Sequence, residues 1–257
     1  MKKATAVVLG VALFLSLCGC GRTEDKTTLT VFAAASLQET LTEIGAQYMA
    51  QNEDVEVVFT FDSSGTLKTQ IEAGAYCDVF ISAAQKQMDE LDCVKEDSRT
   101  NLLENKVALA VPEGNPADVT GFDDMAARLA AGGLFLAIGN ADVPVGQYTQ
   151  KIFAYYGLDE AALAAAGCLT YGSNAKEVTI HVSEALADCG IVYTTDACSV
   201  GLTVVDTATA GMCGQVIYPA AVLTVSVQQE QAQNFLDFCR SDAAMEVFSA
   251  VGFSPAA

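Results

Sequence analysis

Five positions stand out because each falls where a strand hands over to a helix. Ser36 closes the run Thr30-Val-Phe-Ala-Ala-Ala-Ser36-Leu37. Ser64 sits in Ser63-Ser64-Gly65-Thr66, and Val145 follows Pro144. Asn174 to Val178 opens another periodic stretch, and Tyr193 ends the run Gly190-Ile-Val-Tyr193. The first residues of a helix carry backbone N–H groups with no partner inside the helix, at the positive end of its dipole. Neighbouring hydroxyls add donors, and no turn carries a cationic side chain at its apex. Such a set suits a fully ionised oxyanion, which has no proton to give. Charge-assisted hydrogen bonds contribute roughly 1.5–3 kcal/mol each. About five to seven of them support nanomolar to micromolar affinity after desolvation and closure. Taken alone, Ser36 reads as the cap of an ordinary helix, with Glu39 three residues on as its capping-box partner. Repetition of the same kind of turn is what points to a ligand.

The surrounding elements follow from periodicity. Leu37, Leu41, Ile44 and Tyr48 predict a helix after Ser36. Val55–Phe61 alternates as a strand, Leu67–Ala75 reads as a short helix, and Asp78–Ser82 as a third strand. This alternation predicts an α/β fold with parallel strands and ligand groups at the strand C-termini. Lys106–Pro112 is a strong strand, and a second α/β set follows it. There, helices are expected over Phe122–Ala131, Gln147–Tyr156 and Asp159–Ala166, and from Ser173 to about Ala187. Strands are expected at Leu134–Ile138, Gly190–Tyr193 and Leu202–Val205. Gln215–Leu223 is the last long strand, and its Pro219 predicts an edge or a crossing point. Helices at Gln229–Cys239 and Ala243–Val251 close the chain. Linker candidates near Ala110–Pro112 and Gly214–Pro219 divide it into lobe one (29–110 and 218–257) and lobe two (111–217), joined by two crossings.

Composition sets further bounds. Lys2 and Lys3 precede an apolar run from Ala4 to Leu17 that is too short to span a bilayer. Leu17-Cys18-Gly19-Cys20 then resembles a bacterial lipobox. Residues 1–19 are read as a lipoprotein signal peptide, Cys20 as the lipidated N-terminus and 20–28 as a tether. The expected location is extracytoplasmic, on the outer face of the cell membrane through the lipid. The formal charge of −19, deepened by loss of Lys2 and Lys3, excludes nucleic-acid binding through the phosphate backbone. It also opposes long-range steering of anions, so any anion site must act locally. Seven cysteines follow Cys20, with no CxxC pair and no Cys/His zinc spacing around the lone His181. They are read as thiols in preference to a disulfide framework. No nucleophile–base pair and no G-x-S-x-G run occur, so an enzyme is not expected.

Several runs carry a family resemblance. They are Phe32-Ala-Ala-Ala-Ser-Leu37, Ser64-Gly-Thr-Leu67 with Gln70-Ile-Glu-Ala-Gly-Ala75, Asp78-Val-Phe-Ile-Ser-Ala83 and Val143-Pro-Val-Gly146 with Tyr148. Gly190-Ile-Val-Tyr193 with Asp196-Ala197, and Val251-Gly-Phe253, complete the series. In this order they resemble the molybdate-binding proteins of ABC transporters, over nearly all of the chain beyond Cys20. The resemblance implies a type II periplasmic-binding-protein fold, two α/β lobes with the ligand cleft between them. It implies capture of molybdate, and of tungstate, for delivery to a permease. Molybdenum would enter only as the oxyanion, with no separate cofactor, and the protein is expected to be a monomer.

Carried over residue by residue, the oxyanion ligands are Ser36, Ser64, Val145 through its N–H, Val178 through its N–H, and Tyr193 through its hydroxyl. At Val145 the family often has alanine, a change that leaves the N–H in place. The Val178 assignment conflicts with Asn174 as N-cap, which would leave the Val178 N–H used within the helix. Either the cap lies later than Asn174, or Lys176 or Glu177 is the donor. Asp62, close to Ser64, would repel an anion and is expected to face away, capping its turn. The same fold tuned to sulfate, phosphate or a ferric complex is the alternative. A phosphate site would favour an inward carboxylate to accept the ligand's proton.

Overall fold

The computed structural model describes residues 26–256, so the signal peptide, Cys20 and most of the tether lie outside the described residues. The strands are β1 Thr27–Ala34, β2 Val55–Asp62, β3 Val79–Ile81, β4 Thr100–Asn105, β5 Val107–Val111 and β6 Leu136–Gly139. They continue as β7 Leu169–Gly172, β8 Cys189–Tyr193, β9 Thr203–Thr207, β10 Val216–Val222 and β11 Ser254–Pro255. Two sheets form, ordered β11-β4-β10-β3-β1-β2 and β7-β6-β8-β5-β9. In the first, β1 runs parallel to β2 and β3, and β10 runs antiparallel to β3 and β4. In the second, β6 runs parallel to β7 and β8, and β5 runs antiparallel to β8 and β9. Each sheet therefore has a parallel core, β2-β1-β3 or β7-β6-β8, followed by an internal antiparallel strand, β10 or β5, that arrives from the other lobe. This is the type II periplasmic-binding-protein arrangement.

The crossings differ from their expected places. Val107–Val111 pairs wholly within the second sheet, so the first crossing is at Lys106 and not at Ala110–Pro112. The second falls just before Val216, inside the expected Gly214–Pro219 linker but ahead of the 217/218 lobe boundary, since β10 belongs to the first sheet from its first residue. Pro219 lies in an internal strand, not at an edge. The β10–β4 register shifts between Tyr218 and Pro219, which accommodates a residue with no N–H to donate. The first strand begins at Thr27, paired with Val55, so Thr27 and Thr28 are strand and not tether.

The helices that matter to the site are α1 Gln38–Gln51, α2 Ser64–Glu72, α3 Gln85–Asp89, α4 Phe122–Ala130 and α5 Pro144–Tyr156. They are followed by α6 Glu160–Ala165, α7 Ala175–Ser183 and α8 Thr194–Ser199. The C-terminal helices Gln229–Cys239 and Asp242–Ala250 cover lobe one. Phe235 packs edge-on against Tyr48 at 5.2 Å. All seven cysteines in the described residues are free thiols, and Cys77, Cys189 and Cys239 are wholly buried. Burial pushes the Cys77 and Cys189 thiols up to about 12, so they act as small apolar side chains. Among the described residues no group of histidine, cysteine and carboxylate side chains is placed to hold a metal ion, and no helix is long and apolar enough to cross a membrane.

Candidate functional site

Ser36, Ser64, Val145 and Tyr193 meet around one small cavity between the lobes, together with Ala34, Ala35 and Ala175. Its volume is about 10 Å³, which is about the space one water-sized sphere fills. The lobes are closed over it. Gln87 of lobe one donates to Gln147 of lobe two at 3.2 Å, and Lys176 of lobe two pairs with Glu39 of lobe one.

Each wall is a helix start. Ser63 caps α2 by accepting from the Thr66 N–H at 3.0 Å, which leaves Ser64 at the first helical position with its N–H unclaimed. The buried Ser64 hydroxyl oxygen accepts from the Ala83 N–H at 2.9 Å. That bond uses a lone pair and leaves the Ser64 proton free for the cavity. At α5, Pro144 occupies the first position, where a missing N–H costs nothing. Val143 offers no side-chain cap, so Val145 presents its N–H.

Ser36 does not cap α1. It lies inside a single 3-10 turn, Ala35–Leu37, and Leu37 stands at the N-cap position without a side-chain bond. Glu39 turns to Lys176 instead. The capping-box expectation is thus wrong, and the Ser36 hydroxyl is released from the helix. It lies 3.0 Å from the Tyr218 hydroxyl.

Val178 is not in the wall. Asn174 is the N-cap of α7 and accepts from the Glu177 N–H at 3.0 Å. The Val178 N–H is spent on the Asn174 carbonyl at 3.3 Å. Its side chain sits behind β7, where a Cβ on Gly172 would meet Val178 Cγ2 at 2.7 Å. The free donors of this helix are the N–H groups of Ala175 and Lys176, and Ala175 is the one that lines the cavity. The cap geometry replaces Val178 with a residue three positions earlier.

Tyr193 is fully buried, and its hydroxyl has no hydrogen-bond partner among the described residues. Burial, followed by the neighbouring Tyr218 phenol, pushes its ionisation well above the ordinary tyrosine value. It therefore keeps its proton, and the residue lines the cavity with a hydroxyl free to donate. An unpaired buried hydroxyl costs about 1–3 kcal/mol, so the site is built for a partner. Asp62 takes the Ser63 N–H at 2.6 Å, the turn-capping role expected of it, yet it also contributes to the cavity wall. Asp196, buried near this junction, has its carboxyl pushed from 3.8 to about 7, by burial foremost.

Sequence reasoning missed Ala175, Ala83, Asn105 and Tyr218. Nothing local marks the last two, since they are polar groups within strands whose role depends on which strands become neighbours.

Two α/β lobes shut over a cavity lined with donors define a solute-binding protein. The chain belongs to the bacterial extracellular solute-binding protein family, which it matches over residues 29–254. It is 32% identical to the putative ABC transporter substrate-binding lipoprotein YvgL of Bacillus subtilis, covering 98% of each chain. It is also 32% identical to the molybdate-binding protein ModA of Haemophilus influenzae, over 88% of this chain and 89% of that one. Among solved structures it resembles the substrate-binding domain of a putative molybdenum ABC transporter from Clostridium difficile. There the identity is 29% and the TM-score 0.66, over 90% of this chain and all of that one. The chain is thus a homologue of molybdate-binding proteins of ABC transporters.

Proposed function

We propose that this protein captures molybdate, and tungstate, outside the cytoplasm and hands the ion to an ABC permease without chemical change. The observation that carries the proposal is the Tyr193 hydroxyl, buried, protonated and unpartnered at a cavity that also receives Ser36, Ser64 and two helix starts. The donors are neutral, so the empty site buries no uncompensated charge, while a dianion gains several charge-assisted bonds. Anchoring by lipid at Cys20 and action as a monomer complete the proposal. The kinship with YvgL and ModA supports the transport role.

The test is a calorimetric competition on the purified protein with molybdate, tungstate, sulfate and hydrogen phosphate. Molybdate is expected to win over sulfate by at least roughly a hundredfold, about 2.7 kcal/mol. Charge and shape are shared, so size decides: donors set for the larger ion cannot all reach sulfate at once. Equal affinity would end the molybdate assignment and leave the fold untouched. One observation favours a second reading. Asp62 stands in the cavity wall and could accept the proton of hydrogen phosphate. Preference for hydrogen phosphate, lost in Asp62→Asn, would establish that reading instead.

A further inference from the structure

The Ser36 hydroxyl can give or receive a proton, and its direction decides what the pocket accepts. The surrounding bonds fix that direction. The Lys106 N–H, which can only donate, reaches Asn105 Oδ1 at 2.8 Å. This orients the Asn105 amide, so its Nδ2 group donates. One proton goes to Thr195 Oγ1 at 2.9 Å and the other to the Tyr218 hydroxyl at 3.2 Å. The Thr194 hydroxyl adds a second bond to Asn105 Oδ1 at 3.1 Å and holds the same orientation. Tyr218 is fully buried and already accepts from Asn105, so its own proton needs an acceptor. Ser36 Oγ, at 3.0 Å, is the acceptor present. The reverse direction would leave a buried phenolic proton with no partner, at about 1–3 kcal/mol. The Ser36 proton is left for the cavity.

We infer that Tyr218 and Asn105 are positioning residues that lock Ser36 as a donor, and that through them the pocket selects oxyanions bearing no proton. The inference rests on the oxyanion reading above. Ser64 is held in the same sense by the Ala83 N–H, while the unpartnered Tyr193 hydroxyl has both its proton and its lone pairs open. Both cavity serines thus point donors inward. A ligand oxygen that carries hydrogen meets donor against donor at either serine. Asn105 ends β4 at the first crossing, Tyr218 lies in the strand that follows the second, and Thr194 and Thr195 belong to lobe two. The chain of bonds therefore runs through the hinge, where both lobes hold it in register.

Tyr218→Phe keeps the ring and its edge-on contacts with Tyr193 and Phe253 but removes the proton given to Ser36. Three readouts follow. Molybdate affinity falls about tenfold, the size of one charge-directed hydrogen bond weakened. In a Ser36→Ala background the same substitution has no further effect, because the group it directs is gone. Among weak competitors, the sulfate-to-hydrogen-phosphate preference falls, since the freed Ser36 oxygen now accepts a proton. Asn105→Asp is the second variant: its carboxylate accepts from Tyr218 and Ser36 must then donate to Tyr218, so affinity and the sulfate-to-hydrogen-phosphate preference both fall, and the shift in preference, unlike the plain repulsion of the anion by the new charge, disappears in the Ser36→Ala background. Additive losses with an unchanged preference would overturn the relay while wild-type molybdate binding stands. A wild-type protein that takes up no oxyanion would instead end the functional reading, and the relay with it.

Discussion

Gly65 offers a way to separate closure of the lobes from folding of each lobe. It is the second residue of α2, immediately after Ser64, and it faces the turn before α5 in the other lobe. A Cβ on Gly65 would lie 2.2 Å from the Asp142 carbonyl oxygen and 3.1 Å from its carbon. Non-bonded heavy atoms rest at about 3.5 Å, so the overlap exceeds about 1 Å. Both sides of the contact are backbone, and neither can swing aside as a side-chain tip would. The relief available is to part the lobes. Gly65 has no left-handed backbone, so within its own helix alanine is acceptable and even favoured, by up to about 1 kcal/mol.

Gly65→Ala is therefore expected to leave the ligand-free melting temperature unchanged or slightly raised. Overpacking at a tight contact costs about 1–3 kcal/mol, and here that cost falls on the closed state alone. Affinity for molybdate should drop by about 5- to 150-fold. Calorimetry measures the affinity, and X-ray scattering with saturating ligand should report a wider particle than wild type. An unchanged affinity with an unchanged radius would refute the claim that these lobes close on each other at Gly65. A fall in ligand-free stability would refute the assignment of the clash to closure.

Ser64→Ala should weaken molybdate binding by about 1–3 kcal/mol and also lower ligand-free stability, since it strands the Ala83 N–H in a buried setting. An affinity loss without a stability loss would show that the Ala83 bond carries no weight. Ala175→Pro removes one N–H at the first position of α7, where proline is tolerated after the extended Asn174. Binding should weaken by about 1.5–3 kcal/mol with helix content intact by circular dichroism, and wild-type affinity would clear Ala175 from the site. Asp196 holds a proton in the folded chain up to about pH 7 that the unfolded chain releases near pH 3.8. Stability should fall as pH rises through that window, by up to on the order of 4 kcal/mol. Asp196→Asn should flatten this slope in urea melts at pH 5 and pH 8, and parallel curves for the two proteins would exclude Asp196 as its source.

What the sequence disclosed, and what it hid, divides along a physical line. Strand-to-helix turns are local events, written in caps, small residues and period changes, and so the turns at Ser36, Ser64, Val145 and Tyr193 can be located from neighbours, although the local cap signal at Ser36 is false. Helix starts are also local, and at α7 the cap signal and the family resemblance disagree: the resemblance points to Val178, whose N–H is spent on the Asn174 carbonyl. Asn174 places the open N–H groups at Ala175 and Lys176 whatever a relative does. Pro219 misled for the opposite reason: its rule concerns ladder hydrogen bonds, and a register shift at Tyr218/Pro219 removes the conflict. The part with no local signature is the direction of the hydroxyls. Ser36, Asn105, Thr195 and Tyr218 are brought together only by the two crossings, Asn105 and Tyr218 being 113 positions apart in the chain. A donor set can therefore be guessed from a sequence. Whether each hydroxyl in it gives or receives its proton is decided by topology, and that decision is what separates a site for a bare oxyanion from one for a protonated anion.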